Sequence, residues 1–134
     1  MPTILERGAA DVLERAANML EERELAKGRL IADGNGRAVR FGPDQAAKAA
    51  QVCARGAILL AGGRRAWTPE TRLADAAVER QVGEQTHAWN DREETTKADV
   101  VVALRQAATT LRSDGDAFRE ALTRADLADA AAGR

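Results

Sequence analysis

The sequence is poor in the side chains that most active sites need. Its 134 residues include one cysteine, Cys53, one histidine, His87, and no tyrosine. One cysteine and one histidine cannot supply the three or four ligands of a zinc site, and no glycine pair fits a phosphate-binding loop. We therefore predict no metal site and no cofactor.

Disulfides and targeting segments are also missing. A single cysteine cannot form an internal disulfide, and residues 1–7 hold no long apolar run ahead of a cleavage site. The longest apolar stretch, residues 56–63, is far shorter than the roughly 20 residues that cross a bilayer. We expect a cytoplasmic protein that does not enter a membrane.

Aromatic side chains are scarce, since Phe41, Trp67, Trp89 and Phe118 are the whole supply, whereas alanine occurs thirty times. A core of aliphatic side chains and close backbone contacts suits helices packed through small residues better than a sheet. A chain of this length can bury a real core without disulfides or metals. The composition therefore predicts a mainly α protein.

Helical periodicity predicts two helices in the first half of the chain. Apolar residues recur at intervals of three and four between Ala9 and Lys27, and Gly28 is suited to end that helix. The run from Asp44 to Ala61 follows a proline and is apolar on most sides, which is typical of a central helix. Inside it, Gly56 indicates a close approach of another backbone.

One short β-hairpin is predicted after the first helix, at about residues 29–41. Two β-compatible runs flank Asp33-Gly34-Asn35-Gly36, and glycine and asparagine tolerate the positive φ of a tight turn. Two strands alone are only marginally stable, so one face of the hairpin must lie on the helices. The predicted fold class is mainly α (α+β), a compact bundle of about five helices with one short two-stranded hairpin.

Capping residues predict the helices of the second half. Thr68 and the proline after it indicate the start of a helix that ends before Gly83, and residues 84–95 indicate an ordered loop or short turn. Thr96 with Asp99 three residues later resembles a capping box that opens a further helix.

The C-terminal part is predicted to be separate from the helical domain. Ser113, Asp114 and Gly115 interrupt the apolar pattern, and the segment after them is only weakly amphipathic. We expect a helical domain over residues 1–112 and a C-terminal helix or partly disordered tail over residues 113–134.

The net charge of −1 conceals a locally basic region. Between Lys27 and Arg65, eight basic side chains face two acidic ones. Such a region is either a solvated basic face or a nucleic-acid-binding surface, although the scarcity of aromatics argues against stacking on single strands. The arginines assigned to this candidate surface are Arg29, Arg37, Arg40, Arg64 and Arg65.

Cys53 with His87, Asn90 and Asp91 contains the parts of a cysteine nucleophile, namely a thiol, an imidazole and an orienting group. Cys53, however, is predicted to lie well inside an apolar helix, where burial raises the pKa of a thiol. The alternative, a small core residue, is therefore preferred, and we expect no enzyme activity.

The segment from His87 to Asp91 is the most individual stretch of the chain. In the structural interpretation Trp89 anchors a loop on the helices, while Asn90 and Asp91 satisfy backbone groups in the turn before Thr96. In the alternative interpretation these residues contact a partner, because tryptophan and asparagine are also good recognition residues.

Four segments occur in the same order in a known family. They are Val12-Leu13-Glu14-Arg15-Ala16-Ala17, Asp33-Gly34-Asn35-Gly36, Cys53-Ala54-Arg55-Gly56-Ala57, and Trp89-Asn90-Asp91 ahead of Thr96-Lys97-Ala98-Asp99-Val100. Through them, roughly residues 9–110 resemble a domain-of-unknown-function family of small bacterial and phage proteins. The resemblance implies a fold and a phage or mobile-element context, and it implies no reaction.

Three functions follow from these observations. The first is a non-catalytic protein-interaction module, with a homodimer as one form, that acts on a host protein complex such as a defence system if a phage carries the gene. The second is a regulatory protein that binds nucleic acid through the region from Lys27 to Arg65. The third is a cysteine-dependent enzyme.

Overall fold

A computed structural model describes residues 3–35, 37, 49–63 and 67–121, and five helices and a three-stranded sheet make up this described part. The predicted class, mainly α with a small β component, is confirmed. In chain order the elements are α1 (Ile4–Glu21), β1 (Glu24–Leu25), β2 (Ile31–Ala32), β3 (Gln51–Val52), α2 (Ala54–Ala61), α3 (Pro69–Val82), α4 (Thr86–Asn90) and α5 (Lys97–Ala121).

The first helix begins and ends earlier than the predicted range from Ala9 to Lys27. A capping box opens it, in which the backbone N–H of Glu6 donates to Thr3 Oγ1 at 3.3 Å and the Thr3 N–H donates to the Glu6 carboxylate. The helix ends at Glu21 because the chain turns to form β1, and Arg23 holds this turn by donating from Nε to the Ala49 carbonyl at 2.9 Å.

The sheet has the order β1-β3-β2, so the strand from the middle of the chain lies in its centre. β3 pairs in parallel with β1 and antiparallel with β2. The predicted hairpin turn is present, because the Asp33 carboxylate accepts hydrogen bonds from the N–H groups of Asn35 and Arg37 at 2.8 and 3.0 Å. Residues 38–41 of the predicted second strand lie outside the described residues.

The predicted central helix from Asp44 to Ala61 is wrong in its N-terminal part. Gln51 and Val52 form β3, Cys53 is the N-cap, and the helix begins only at Ala54. Short alanine-rich and apolar runs fit a buried strand as well as a helix, and here pairing with two strands decides the outcome. Residues 44–48 lie outside the described residues.

The helices of the second half follow the predicted caps. Thr68 and Thr71 form a capping box for α3, which ends at Gly83 with a φ of +83°. Thr96 and Asp99 likewise exchange side chain to backbone bonds at 3.0 and 3.2 Å ahead of α5. The predicted break after Ser113 is absent from the backbone, since α5 continues through residue 115 to Ala121.

The core lies where α1 packs against α5, with α2 and α3 completing the layer. Trp67 and Trp89 are half-buried and pack against its edge, as expected for an aliphatic core. Within the described ranges, no helix has the length and apolar character needed to span a bilayer. The largest aliphatic side chains of the core are Leu13, Leu20, Ile31, Ile58, Leu104 and Leu111.

Candidate functional site

Asn90 joins three segments that are distant in sequence. Its side chain is buried, its Oδ1 accepts from the Ala54 N–H at 2.9 Å, and its Nδ2 donates to the Ala26 carbonyl at 2.9 Å. One amide therefore ties the end of α4 to the first turn of α2 and to the chain after β1. Both the oxygen and the nitrogen of the amide form hydrogen bonds, and these bonds offset the cost of removing the polar side chain from water.

The neighbouring residues extend this contact, which we name the Asn90 clasp (Ala26, Lys27, Gly28, Ala54, Asn90 and Asp91). Asp91 Oδ1 accepts from the Gly28 N–H at 2.8 Å, and Lys27 Nζ donates to the carbonyls of Thr95, at 2.8 Å, and of Arg92. Asn90 and Asp91 thus bind backbone groups, as the structural interpretation predicts. Those groups belong to distant segments rather than to the turn before Thr96.

Cys53 lies beside the clasp, at the N-terminus of α2 rather than inside a helix. Its Sγ accepts a hydrogen bond from the Gly56 N–H at 3.2 Å, and the residue is 5% exposed. Burial raises the pKa of the Cys53 thiol, although the N–H groups of Gly56 and Arg55 oppose the shift. A raised pKa lowers the thiolate fraction that a cysteine nucleophile needs. His87, its proposed partner, is exposed on α4.

The predicted basic surface is only partly within the described residues, because Arg40, Arg64 and Arg65 lie outside them. Arg29 and Arg37 are exposed near Asp33, whose pKa is lowered mainly by the hydrogen bonds from the Arg37 and Asn35 N–H groups. Lys27 is used within the clasp. The described structure therefore brings Arg29 and Arg37 close to a carboxylate, and a surface of all five arginines stays a prediction.

An apolar strip crosses the N-terminal part of α5, where Val102 is 52% exposed between two grooves. One groove, of about 330 Å³, runs towards Trp89 of α4 and Val82 of α3. The other, of about 540 Å³, lies on the side of Lys97 and Arg105. We name this strip the Val102 face and define it as Val82, Trp89, Ala98, Val101, Val102 and Ala103.

Polar groups of both signs surround the Val102 face. Arg105 donates from Nη1 to the Glu21 carboxylate at 2.7 Å, and this hydrogen bond lowers the pKa of Glu21 and raises that of Arg105. Lys97 donates to the Glu21 carbonyl at 3.0 Å, and Asp99 borders the opposite groove. An apolar centre with a polar rim is the usual anatomy of a protein interface.

Sequence reasoning selected Trp89 but missed Val102. The signal was present, because Val100, Val101 and Val102 are consecutive and three successive helical residues span roughly 200° of the circumference. These three residues therefore cannot all face the core. Val100 and Val101 are buried, and Val102 is the one left outside.

Sequence reasoning also missed a charged cluster between α2 and α3. The guanidinium of Arg55 lies 4.5 Å from the centre of the Trp67 ring, and that of Arg72 lies 5.9 Å from the same centre. Asp75 Oδ2 is 3.5 Å from Arg55 Nε. These residues follow no recognisable spacing, and only the packing of α3 against α2 brings them together. We name them the Trp67 cluster.

Metal-binding groups do not cluster in the part of the chain that the structure describes, where no three side chains of His, Cys, Asp or Glu are placed to hold one ion.

Three comparisons with known proteins add a family. No curated protein and no solved structure matches the chain. A model of a family of unknown function, DUF6197, matches residues 6–110, which include the clasp, the Val102 face and the Trp67 cluster. The chain therefore belongs to the DUF6197 family of unknown function.

Proposed function

We propose that this chain is a non-catalytic protein-interaction module whose Val102 face binds an amphipathic helix of a partner protein. The observation that carries the proposal is the 52% exposure of Val102 between two grooves. Full burial of an exposed valine side chain contributes roughly 1.5–3 kcal/mol, and covering the exposed part of Val102 contributes about half of that, so this strip gains free energy when a partner excludes water from it.

The shape of the face favours a helix as its occupant. Val102 forms a ridge along α5 with a groove on either side, and helices pack by placing their ridges in such grooves. A partner helix would present apolar side chains at intervals of three and four residues. Its flanking charges would meet the rim of both signs, where Lys97 and Asp99 lie on opposite sides.

Two further observations support a role without catalysis. The thiol of Cys53 is buried and its pKa is raised. The side chains of Asn90 and Asp91, the proposed orienting groups, bind backbone groups of other segments. If a phage carries the gene, the proposed partner is a host protein complex such as a defence system, and the resemblance to small bacterial and phage proteins supports this choice.

A matched pair of variants tests the proposal. Ile4 is another large apolar side chain on the surface, with 84% exposure. It is the first residue of α1, whereas Val102 lies on α5. In affinity capture, Val102→Gln should recover at least tenfold less of the specific partner than the natural chain does. Ile4→Gln should recover as much as the natural chain. Equal capture by the two variants would overturn the proposal. So would co-purification of nucleic acid alone, released by salt.

A further inference from the structure

The Trp67 cluster contains two guanidinium groups that lie against one aromatic ring. Arg55 and Arg72 share one aromatic ring, at 4.5 and 5.9 Å from its centre, and Asp75 is the carboxylate that reaches Arg55. A guanidinium over an indole ring is held in place by the electrons of the ring, which leaves its N–H edge available. The cluster is thus built around two positioned cations.

Donor atoms of both arginines are buried without a hydrogen-bond partner among the described residues. They are Arg55 Nε and, on Arg72, both Nε and Nη2. Nε and Nη2 lie on the same edge of a guanidinium and together form a fork that fits the two oxygens of a carboxylate or phosphate. Buried charged donors are rarely left unpaired in native proteins, so this edge is suited to an anion.

We propose that the Trp67 cluster is a binding site for one carboxylate group, which is seated on the Nε and Nη2 edge of Arg72 and faces Arg55. Asp75 favours a carboxylate over phosphate, because a second negative charge beside it would be repelled more strongly. The site does not depend on the Val102 face.

Fluorescence of Trp67 tests the site directly. The chain has two tryptophans, so Trp89→Phe leaves Trp67 as the single reporter. At constant ionic strength and pH, titration with sodium acetate should change the Trp67 emission in a saturable way, whereas acetamide should have no effect. Inorganic phosphate should bind more weakly than acetate.

Substitutions of Arg72 and Arg55 distinguish bidentate hydrogen bonding from electrostatic attraction alone. Arg72→Lys keeps the charge and loses the two parallel donors, so acetate should bind at least tenfold more weakly. Arg55→Lys should weaken binding as well and serves as the second variant if Arg72→Lys unfolds. Arg80→Lys, which changes an exposed arginine of the same helix, should leave the acetate affinity unchanged.

The source of the carboxylate is distinguished by a third probe. Tighter binding of N-acetyl-glutamate α-amide than of acetate would assign the site to a glutamate side chain of a protein, and the reverse order would assign it to a free small acid. A response to acetate that does not saturate would overturn the proposal. A response that is unchanged in both Arg72→Lys and Arg55→Lys, or stronger binding of phosphate, would overturn it too.

Discussion

At the scale of single residues, Gly56 decides whether β2 and α2 can pack. A Cβ atom at this position would lie 1.9 Å from the Leu30 carbonyl oxygen and 2.7 Å from the carbonyl carbon. Both atoms belong to the backbone, so neither can rotate away. The close approach that the sequence predicted at Gly56 is therefore real, and its partner is the Leu30 carbonyl directly before β2.

Replacing Gly56 by alanine should consequently destabilise the fold. Alanine gains about 1 kcal/mol in a helix interior, but overpacking against a fixed backbone typically costs about 1–3 kcal/mol and here exceeds that gain. We expect a net loss of about 1–2 kcal/mol in the unfolding free energy, measured by urea denaturation. Gly34→Ala is the control, because open space surrounds that position. A stable Gly56→Ala variant would contradict the close approach.

Asn90 should be among the most sensitive polar positions. Asn90→Ala leaves the Ala54 N–H and the Ala26 carbonyl without their partner, and each unsatisfied buried group costs about 1–3 kcal/mol. We expect a total loss of about 2–4 kcal/mol in denaturant unfolding. Asp91→Ala should lose only about 1 kcal/mol, because its bond to the Gly28 N–H is exposed. Equal losses of unfolding free energy at the two positions would show that Asn90 is not the main contact of the Asn90 clasp.

Asp75 should make the stability depend on pH. Burial raises the pKa of its carboxyl above the ordinary value of 3.8, while Arg55 and, more weakly, Thr86, Glu79 and His87 oppose the shift. The folded state therefore holds the proton more tightly than the unfolded chain does. Stability from this group is present at low pH and falls as the pH rises from about 3.8 through the raised pKa.

Asp75→Asn removes this titration. The unfolding free energy of the natural chain minus that of the variant should decrease as the pH rises over that window, measured by urea denaturation at several pH values. Glu24→Gln, at an exposed carboxylate, provides the control and should show no such trend. A difference that increases with pH would mean that the ion pair with Arg55 outweighs burial.

At the scale of elements, the sequence predicted features that depend on neighbouring residues and missed those that depend on distant ones. Thr68 was identified as a cap from the proline that follows it, and Thr96 from Asp99 three residues later. The strand at Gln51 and Val52 was taken for helix, because its partners are Glu24–Leu25 and Ile31–Ala32. The same reason explains why the roles of Asn90 and the Trp67 cluster were not foreseen.

The capping box of α5 offers a test of one local interaction. Thr96→Ala removes the acceptor for the Asp99 N–H, which is 3.2 Å from Thr96 Oγ1. Loss of such a cap costs about 1 kcal/mol, and thermal unfolding should register it as a lower Tm. Thr109→Ala, at an exposed position inside the same helix, should have almost no effect. If both substitutions act alike, the cap does not determine where α5 begins.

At the scale of the whole molecule, α5 and α1 form the structural centre, and the family match ends within α5. The match covers residues 6–110, and the core side chain of Leu111 directly follows it. Arg112 of α5, next to Leu111, also forms ion pairs with Asp11 and Glu14 of α1 at 2.9 and 3.2 Å. The domain limit at residue 112 stays a prediction.

A chain that ends at Ser113 should therefore fold on its own. It retains Ala107, Ala108 and Leu111, all of them buried, and it should unfold cooperatively with a Tm within about 5 °C of the full chain, which corresponds to roughly 1 kcal/mol. A chain that ends at Gln106 loses those three side chains and should not give a cooperative transition, because the cavity would lie in the contact of α5 with α1. If the chain ending at Ser113 also fails to unfold cooperatively, residues 114–121 belong to the domain and the limit lies further along α5.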